Sequence, residues 1–352
     1  MNNITTFECA ACKQKTTTQY KCSCSSPVSA VHRAPKTSWQ TLRAKKFGHW
    51  RYSDFLPEVL RKITLDEGHT PLVQQGNLFF KLESCNPTGS FKDRGSTVEI
   101  SLANKSVVCA STGNMGASVA AYCAKAKLDC TIVLPKNTPE QKVRQIKIFG
   151  AAIEKVEGHY THAVEHAAKS AHHKNMRLAG DYALRREGEK TIVFEIIDQI
   201  NCAPDRIICP MGNGTLISAI WQGVLDFKTA GLIKKLPQLV GVQAAGCSPI
   251  ADAFHNQMPI KAVNPKTIAS AVACGNPLDG LLAIHSLAQS KGTAMKISDK
   301  ELLSARRKLA REYGIDGEPS AVLSFAACQK IKQKGKTALI VTGSGLKDLK
   351  HI

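Results

Sequence analysis

Residues 83–95 read Glu83-Ser84-Cys85-Asn86-Pro87-Thr88-Gly89-Ser90-Phe91-Lys92-Asp93-Arg94-Gly95. Asn, Pro, Thr, Gly and Ser crowd into a few positions, so the segment is a turn, and a helix should begin close to Lys92. Just upstream, Leu78-Phe79-Phe80 is a short apolar run of strand type. Strand, turn and helix in that order make half of a parallel β-α unit. A lysine in the first helical turn also faces the positive end of the helix dipole, which lowers its proton affinity and favours the neutral amine needed for a Schiff base. Taken alone, the plainer account is a surface lysine in a first turn.

The same rhythm recurs along the chain. Val107-Val108-Cys109, Cys130 to Leu134, Arg206 to Cys209, Leu239 to Val242 and Thr337 to Val341 are apolar, β-branched runs, each followed by turn residues and a helical pattern. The expected fold class is therefore α/β, with open, twisted, mainly parallel sheets flanked by helices and a site at the carboxyl edges of the strands. Residues 1–45 differ: rich in Thr, Ser and Cys, with Pro27 and Pro35 and no sustained period, they form a small Cys-containing N-terminal segment.

Three further strand ends carry loops suited to chemistry. Ser111-Thr112-Gly113-Asn114-Met115-Gly116 allows close backbone approach and offers free helix amides to a carboxylate. Ser and Asn are also ordinary helix caps. Pro210-Met211-Gly212-Asn213-Gly214-Thr215 opens a helix with the makings of a phosphate cradle. It lacks the Lys-Ser/Thr ending of a nucleotide loop, and Ile217 stands where a dinucleotide fingerprint needs its third glycine. Thr342-Gly343-Ser344-Gly345 places a hydroxyl after the last strand, or is merely a glycine turn leaving the sheet. A Schiff-base lysine, a phosphate cradle, a carboxylate loop and a hydroxyl on neighbouring edges together describe an aldehyde cofactor with a phosphate tail and an amino-acid substrate.

Composition bounds the alternatives. The 352 residues suffice for two or three domains, and no stretch reaches the roughly 20 apolar residues of a membrane span. The N-terminus lacks the basic and apolar regions of a signal peptide, so a cytoplasmic location is expected, with the 13 cysteines reduced. The net charge of +19 raises the question of nucleic acid, but the basic residues are spread along the chain and no nucleic-acid module appears. A positive field also concentrates a small anionic substrate. The expected partners are thus a small phosphorylated amino acid and, at most, a second copy of the chain as a homodimer, with neither nucleic acid nor membrane.

The four loops resemble the motif set of the fold-type II pyridoxal-phosphate enzymes, and of the threonine synthase family in particular. The resemblance extends to Trp50-Arg51-Tyr52, Glu67-Gly68-His69-Thr70-Pro71-Leu72, Gly241 to Ile250 and Thr267 to Ala271. It implies a large cofactor-binding domain from residues 46–103 and 182–352 and a smaller mobile domain from residues 104–181. It also implies pyridoxal 5'-phosphate attached to Lys92, with Asn114 at its phenolic oxygen. Gly212, Asn213, Gly214, Thr215 and Leu216 would hold its phosphate, and Thr342 its pyridine nitrogen. Lys81, Ser90 and Arg185 would bind the phosphate of O-phospho-L-homoserine, and Ser111 and Thr112 its carboxylate. The implied reaction yields L-threonine and phosphate.

Two stretches depart from the family pattern. Members often carry an Asn-Ser pair six and five residues before the arginine matching Arg185, where this chain has Ala179-Gly180, and the phosphate loop continues Gly214-Thr215-Leu216 rather than Ala-Gly-Asn. These changes keep open a β-replacement on O-phosphoserine of the cysteate synthase type, or a threonine or serine dehydratase. A non-catalytic relative that binds the cofactor for regulation would have lost the lysine or the cradle, and both are present. Cys9, Cys12, Cys22 and Cys24 resemble the small zinc ribbon at the start of some threonine synthases. The second pair is one residue too close for a usual knuckle and the customary turn glycines are absent, so the expectation is a ribbon without metal, zinc being the alternative.

Overall fold

Runs such as Arg206-Ile207-Ile208-Cys209-Pro210 offer no polar face to water, and a strand of that kind is stable only when both faces are covered. In the computed structural model of the chain, which describes residues 4–32, 35–59, 61–111, 113–138, 140–158, 160–332 and 334–350, such runs become interior strands of parallel sheets.

Thirteen strands form three sheets among the described residues. At the N-terminus β1 (Ile4–Cys9), β2 (Lys15–Thr16) and β3 (Val28–His32) make an antiparallel sheet in the order β2-β1-β3. Next come β4 (Leu72–Gln75) and β5 (Leu78–Leu82), then β6 (Val107–Ala110), β7 (Cys130–Pro135), β8 (Ala152–Val156) and β9 (Arg177–Ala179). The last four are β10 (Arg206–Pro210), β11 (Gln238–Ala244), β12 (Thr293–Ile297) and β13 (Thr337–Val341). Strands β6 to β9 form a parallel four-stranded sheet ordered β8-β7-β6-β9. The rest build a six-stranded sheet ordered β12-β11-β10-β13-β5-β4, parallel except for the hairpin partner β4 at its edge.

Alternation along the large sheet assigns its two cores. Ile207, Cys209, Leu239, Ala338 and Ile340 face one side, where Phe194 and Phe227 from the helices Thr191–Ile200 and Thr215–Thr229 stack with ring centroids 4.1 Å apart. Ile208, Val240, Leu339 and Val341 face the other, against the helices Asp299–Tyr313 and Pro319–Cys328. No helix among the described residues is long and apolar enough to cross a membrane.

Between the sheets, the helix Lys92–Ser101 crosses the helix Ala183–Glu189 so closely that a Cβ on Gly188 would lie 1.9 Å from the Arg94 carbonyl oxygen. Only glycine permits that approach. Arg94 is fully buried and bonds Glu83 and Glu195 at 2.7–2.9 Å, while Lys81 pairs with Glu195 at 2.8 Å. Two cations and two carboxylates neutralise one another in this cluster, which makes their burial tolerable.

Candidate active site

The loops after β6, β10 and β13 and the turn before Lys92 meet around one cavity at the carboxyl ends of the strands. Its lining includes Lys92, Ser111, Asn114, Asp181, Gly212 to Leu216, Glu318 and Thr342. Thr112 lies outside the described residues.

Lys92 is the first residue of its helix, and the turn leading into it is held from both ends. Asp93 accepts from the Thr88 amide, the Thr88 hydroxyl and the Ser118 hydroxyl at 2.6–2.7 Å. The Phe91 amide donates to the Thr342 carbonyl at 3.0 Å, which ties the lysine to the edge of β13. The Lys92 ammonium donates to Asp181 Oδ1 at 2.9 Å and Glu189 Oε1 at 3.5 Å.

The expectation that the helix dipole favours a neutral Lys92 is corrected by those contacts. Burial works against the ammonium, but Asp181 and then Glu189 outweigh it and hold Lys92 above the ordinary lysine value. Full carboxylate charges at contact distance exceed the half-charge of a helix end. For Glu189, burial dominates and pushes it up to about 7, with Asp181 adding to the rise and Lys92 opposing it. Asp181 is held well down: burial would raise it, but Lys92 and Arg185 prevail.

The loop after β10 fits a phosphate group on structural grounds. Gly214 has φ +88°, and a Cβ there would meet the Asp279 carbonyl oxygen at 2.8 Å. The amides of Gly212 to Leu216 find no acceptor among the described residues, and they open the 15-residue helix Thr215–Thr229. Unpaired amides at the start of a long helix are an anion site. Asn213 turns its side chain away from the cradle, donating to Asp181 Oδ2 at 2.6 Å. Asn114 begins the helix Asn114–Ala126 and donates to Glu318 Oε1 at 2.7 Å. Ser111 accepts from the Gly113 and Gly116 amides at 3.2 and 2.8 Å, which shapes the loop at the cavity wall.

Lys81, Ser90 and Arg185 do not join this cavity. Lys81 spends its three protons on Thr70 O, Glu195 Oε2 and Gln199 Oε1 at 2.8–2.9 Å inside the buried cluster. Arg185 is fully buried and donates to Gly180 O, Lys92 O, Ser96 Oγ and Glu99 Oε2. Ser90 is buried in a bridge with Gly343. Lys81 and Arg185 thus have their donors occupied by buried acceptors, whereas the buried Ser90 hydroxyl has no partner among the described residues.

Asp181, Glu189 and Glu318 went unnoticed in the sequence. Asp181 sits just beyond β9, whose three residues are too few to show a strand period. Glu318 stands directly before Pro319, the first residue of a helix, and that position was the available signal.

The N-terminal sheet carries a second cluster, in which the Sγ atoms of Cys9, Cys12, Cys22 and Cys24 all lie within 4.8 Å of one another.

A family model described as pyridoxal-phosphate dependent enzyme matches residues 63–343. Threonine synthase from Methanocaldococcus jannaschii is 38% identical, the match covering 94% of this chain and 89% of that one. Threonine synthase from Methanosarcina acetivorans is 34% identical, with 99% and 93% covered. Among solved structures, maize serine racemase superposes with a TM-score of 0.69 at 21% identity, over 78% of this chain and 88% of that one, a likeness of fold alone.

Proposed function

The chain belongs to the pyridoxal-phosphate-dependent enzymes and, within them, to the threonine synthase family, and on that footing we propose that it converts O-phospho-L-homoserine and water into L-threonine and phosphate. The observation that carries the reading is the meeting of Lys92 with a run of acceptor-free amides at one sheet edge. Lys92 is the covalent anchor of the cofactor. The amides of Gly212, Asn213, Gly214, Thr215 and Leu216 hold its phosphate, Asn114 its phenolic oxygen and Thr342 its pyridine nitrogen. Thr342 offers a neutral hydroxyl, which does not force the pyridine to stay protonated as a carboxylate would.

When bound, pyridoxal phosphate supplies an electron sink for the charge left as the C–H bond beside the amino group breaks. The Lys92 amine is the base placed to take first the α-proton and then a β-proton of a substrate held in the cavity. Asp181, fixed by Asn213, steadies the ammonium that Lys92 becomes in each transfer. Ser111, Thr112 and the free amides of the helix Asn114–Ala126 bind the substrate carboxylate. Residues 104–181 act as a lobe whose closure excludes water from the reacting carbons.

With Lys81 and Arg185 committed elsewhere, the substrate phosphate is assigned to the recess beside the cavity. That recess shares Gly113 and Asn114 with the cavity and is further lined by Ser84, Thr88, Gln145, Ser344 and Lys347. Lys347 reaches across it to Gln145 Oε1 at 2.8 Å.

One observation favours a second reading. Among the described residues lining the main cavity Lys92 is the sole cation, while Asp181 and Glu318 are anionic. A less highly charged substrate, as in β-replacement or dehydration, would suit that balance. Phosphate release and amino-acid analysis with phosphohomoserine, with phosphoserine plus sulfite, and with threonine separate the readings. Threonine and phosphate formed from phosphohomoserine alone are expected. Turnover confined to threonine or serine would refute the proposal.

A further inference from the structure

Asn213 belongs to the loop that cradles the phosphate, but its side chain is spent on three other groups. Its Nδ2 donates to Asp181 Oδ2 at 2.6 Å, while its Oδ1 accepts from the Cys274 thiol at 2.7 Å and from the Leu278 amide at 3.3 Å. The other oxygen of Asp181 accepts from the Lys92 ammonium at 2.9 Å. Cys274, Asn213, Asp181 and Lys92 thus form one line of side-chain hydrogen bonds, and all four stand in the wall of the main cavity. The reaction proposed above makes no use of the thiol.

These partners fix which way round the Asn213 amide sits. Reversed, it would set an oxygen against the Asp181 carboxylate and N–H groups against the Leu278 amide, replacing attractive contacts by repulsive ones. Cys274 is itself held on both sides. Its amide donates to Val272 O at 2.8 Å, the Val263 amide to Gly275 O at 3.0 Å and the Ala271 amide to Ser320 Oγ at 3.1 Å. The buried thiol remains a donor, because burial, with the Asp181 charge adding to it, pushes it up to about 12. A neutral S–H group directs the amide without bringing a second negative charge to the lysine.

We propose that Cys274 is a positioning residue: its thiol orients the Asn213 amide, which in turn holds the Asp181 carboxylate against the amine of Lys92. The line of contacts stands whatever the substrate; its bearing on the cofactor rests on the assignment of Lys92 as the anchor. Lys92 must be uncharged to attach an aldehyde, and Asp181 is the main group that keeps it charged against the pull of burial. The other groups facing Lys92 or Asp181 are Glu189 and Arg185 from the helix Ala183–Glu189, with Tyr160 and Glu318 in the cavity wall. All of them are retained when only the thiol is changed, so a movement of the lysine's titration reports on the link.

Trace acetic anhydride labels amines only in their uncharged form. Applied to the full chain without cofactor, with peptide mass spectrometry and the exposed Lys300 as internal standard, it reads the pH at which Lys92 is half-reactive. Removing the thiol loosens Asp181 and disfavours the ammonium, so in Cys274→Ala the midpoint should fall by about half a pH unit, about a threefold rise in labelling rate below it. Cys274→Ser, which restores a donor, should stay within about 0.2 unit of the parent. Asp181→Asn should lower the midpoint by about one unit or more, and adding Cys274→Ala to it should shift nothing further. The rate at which added pyridoxal phosphate becomes fixed by borohydride should rise in Cys274→Ala by the same factor as the labelling. An unmoved midpoint in Cys274→Ala, an equal shift in Cys274→Ser, or additive shifts in the double variant overturns the proposal. If Cys274→Ala does not fold, Asn213→Ala cuts the link one step nearer and should lower the midpoint at least as far; an unmoved midpoint there overturns it equally. A protein whose lysine shifts as stated but which attaches no pyridoxal phosphate refutes the cofactor reading alone and leaves the positioning role in place.

Discussion

Arg185→Ala separates a strut from a substrate ligand. The guanidinium lies against the lysine helix and makes four kinds of contact, two with backbone carbonyls and two with Ser96 and Glu99. Its removal leaves Glu99, whose side chain is 3% exposed, without its countercharge. Breaking a buried pair from one side costs about 3–5 kcal/mol. The lower end applies here, because burial already raises Glu99 and only Arg185 and lesser contacts pull it back, so the orphaned carboxyl can take up a proton. Unfolding entropy of about 2.1 cal/mol/K per residue amounts to about 0.7 kcal/mol/K for a chain of 352 residues, so the melting temperature should fall by about 4–6 °C. Calorimetry at one scan rate measures this. The double variant Arg185→Met with Glu99→Gln should recover at least half of the loss, since neither partner is then left charged. KM for phosphohomoserine, measured at 20 °C where both proteins are folded, should change less than threefold. A variant that melts within 1 °C of the parent while its KM rises tenfold or more would show that Arg185 contacts the substrate and that the buried-strut account is wrong.

Lys92→Ala should abolish borohydride-dependent attachment of the cofactor and the long-wavelength absorbance, with the far-ultraviolet circular dichroism unchanged; retained attachment excludes Lys92 as the anchor. Gly214→Ala should weaken pyridoxal-phosphate binding at least tenfold by fluorescence titration, because the new methyl meets the Asp279 carbonyl in a left-handed backbone, and unchanged affinity removes the cradle from that loop. Glu189 binds its proton more tightly folded than unfolded, with about 7 against an ordinary 4.5. The stability it contributes is therefore present below pH 4.5 and lost as pH rises through about 7. In the cofactor-free protein, Glu189→Gln should flatten the fall in melting temperature across that interval, and a parallel displacement of the whole curve refutes the assignment.

What the sequence determined by itself lies in contiguous stretches. The turn ending at Lys92, the glycines at 212 and 214 and the strand runs at 206–210 and 337–341 declare their geometry within a few residues, because turns, helix starts and fully buried strands are set by local backbone preference and apolar period. The strands β8, β9 and β12 were not legible, being short or half-polar, and the N-terminal sheet showed no alternation. The roles of the charged side chains were decided by tertiary structure alone. Lys81 is tied to Glu195, 114 positions away, and Arg185 to Glu99, 86 positions away. Lys92 meets Asp181, 89 positions away, and that carboxylate is the main group holding it above the ordinary lysine value against the pull of burial. A charge in water interacts weakly with everything, whereas a buried charge is governed by the one or two groups the fold places within about 3 Å, and no local pattern in the chain records which those are.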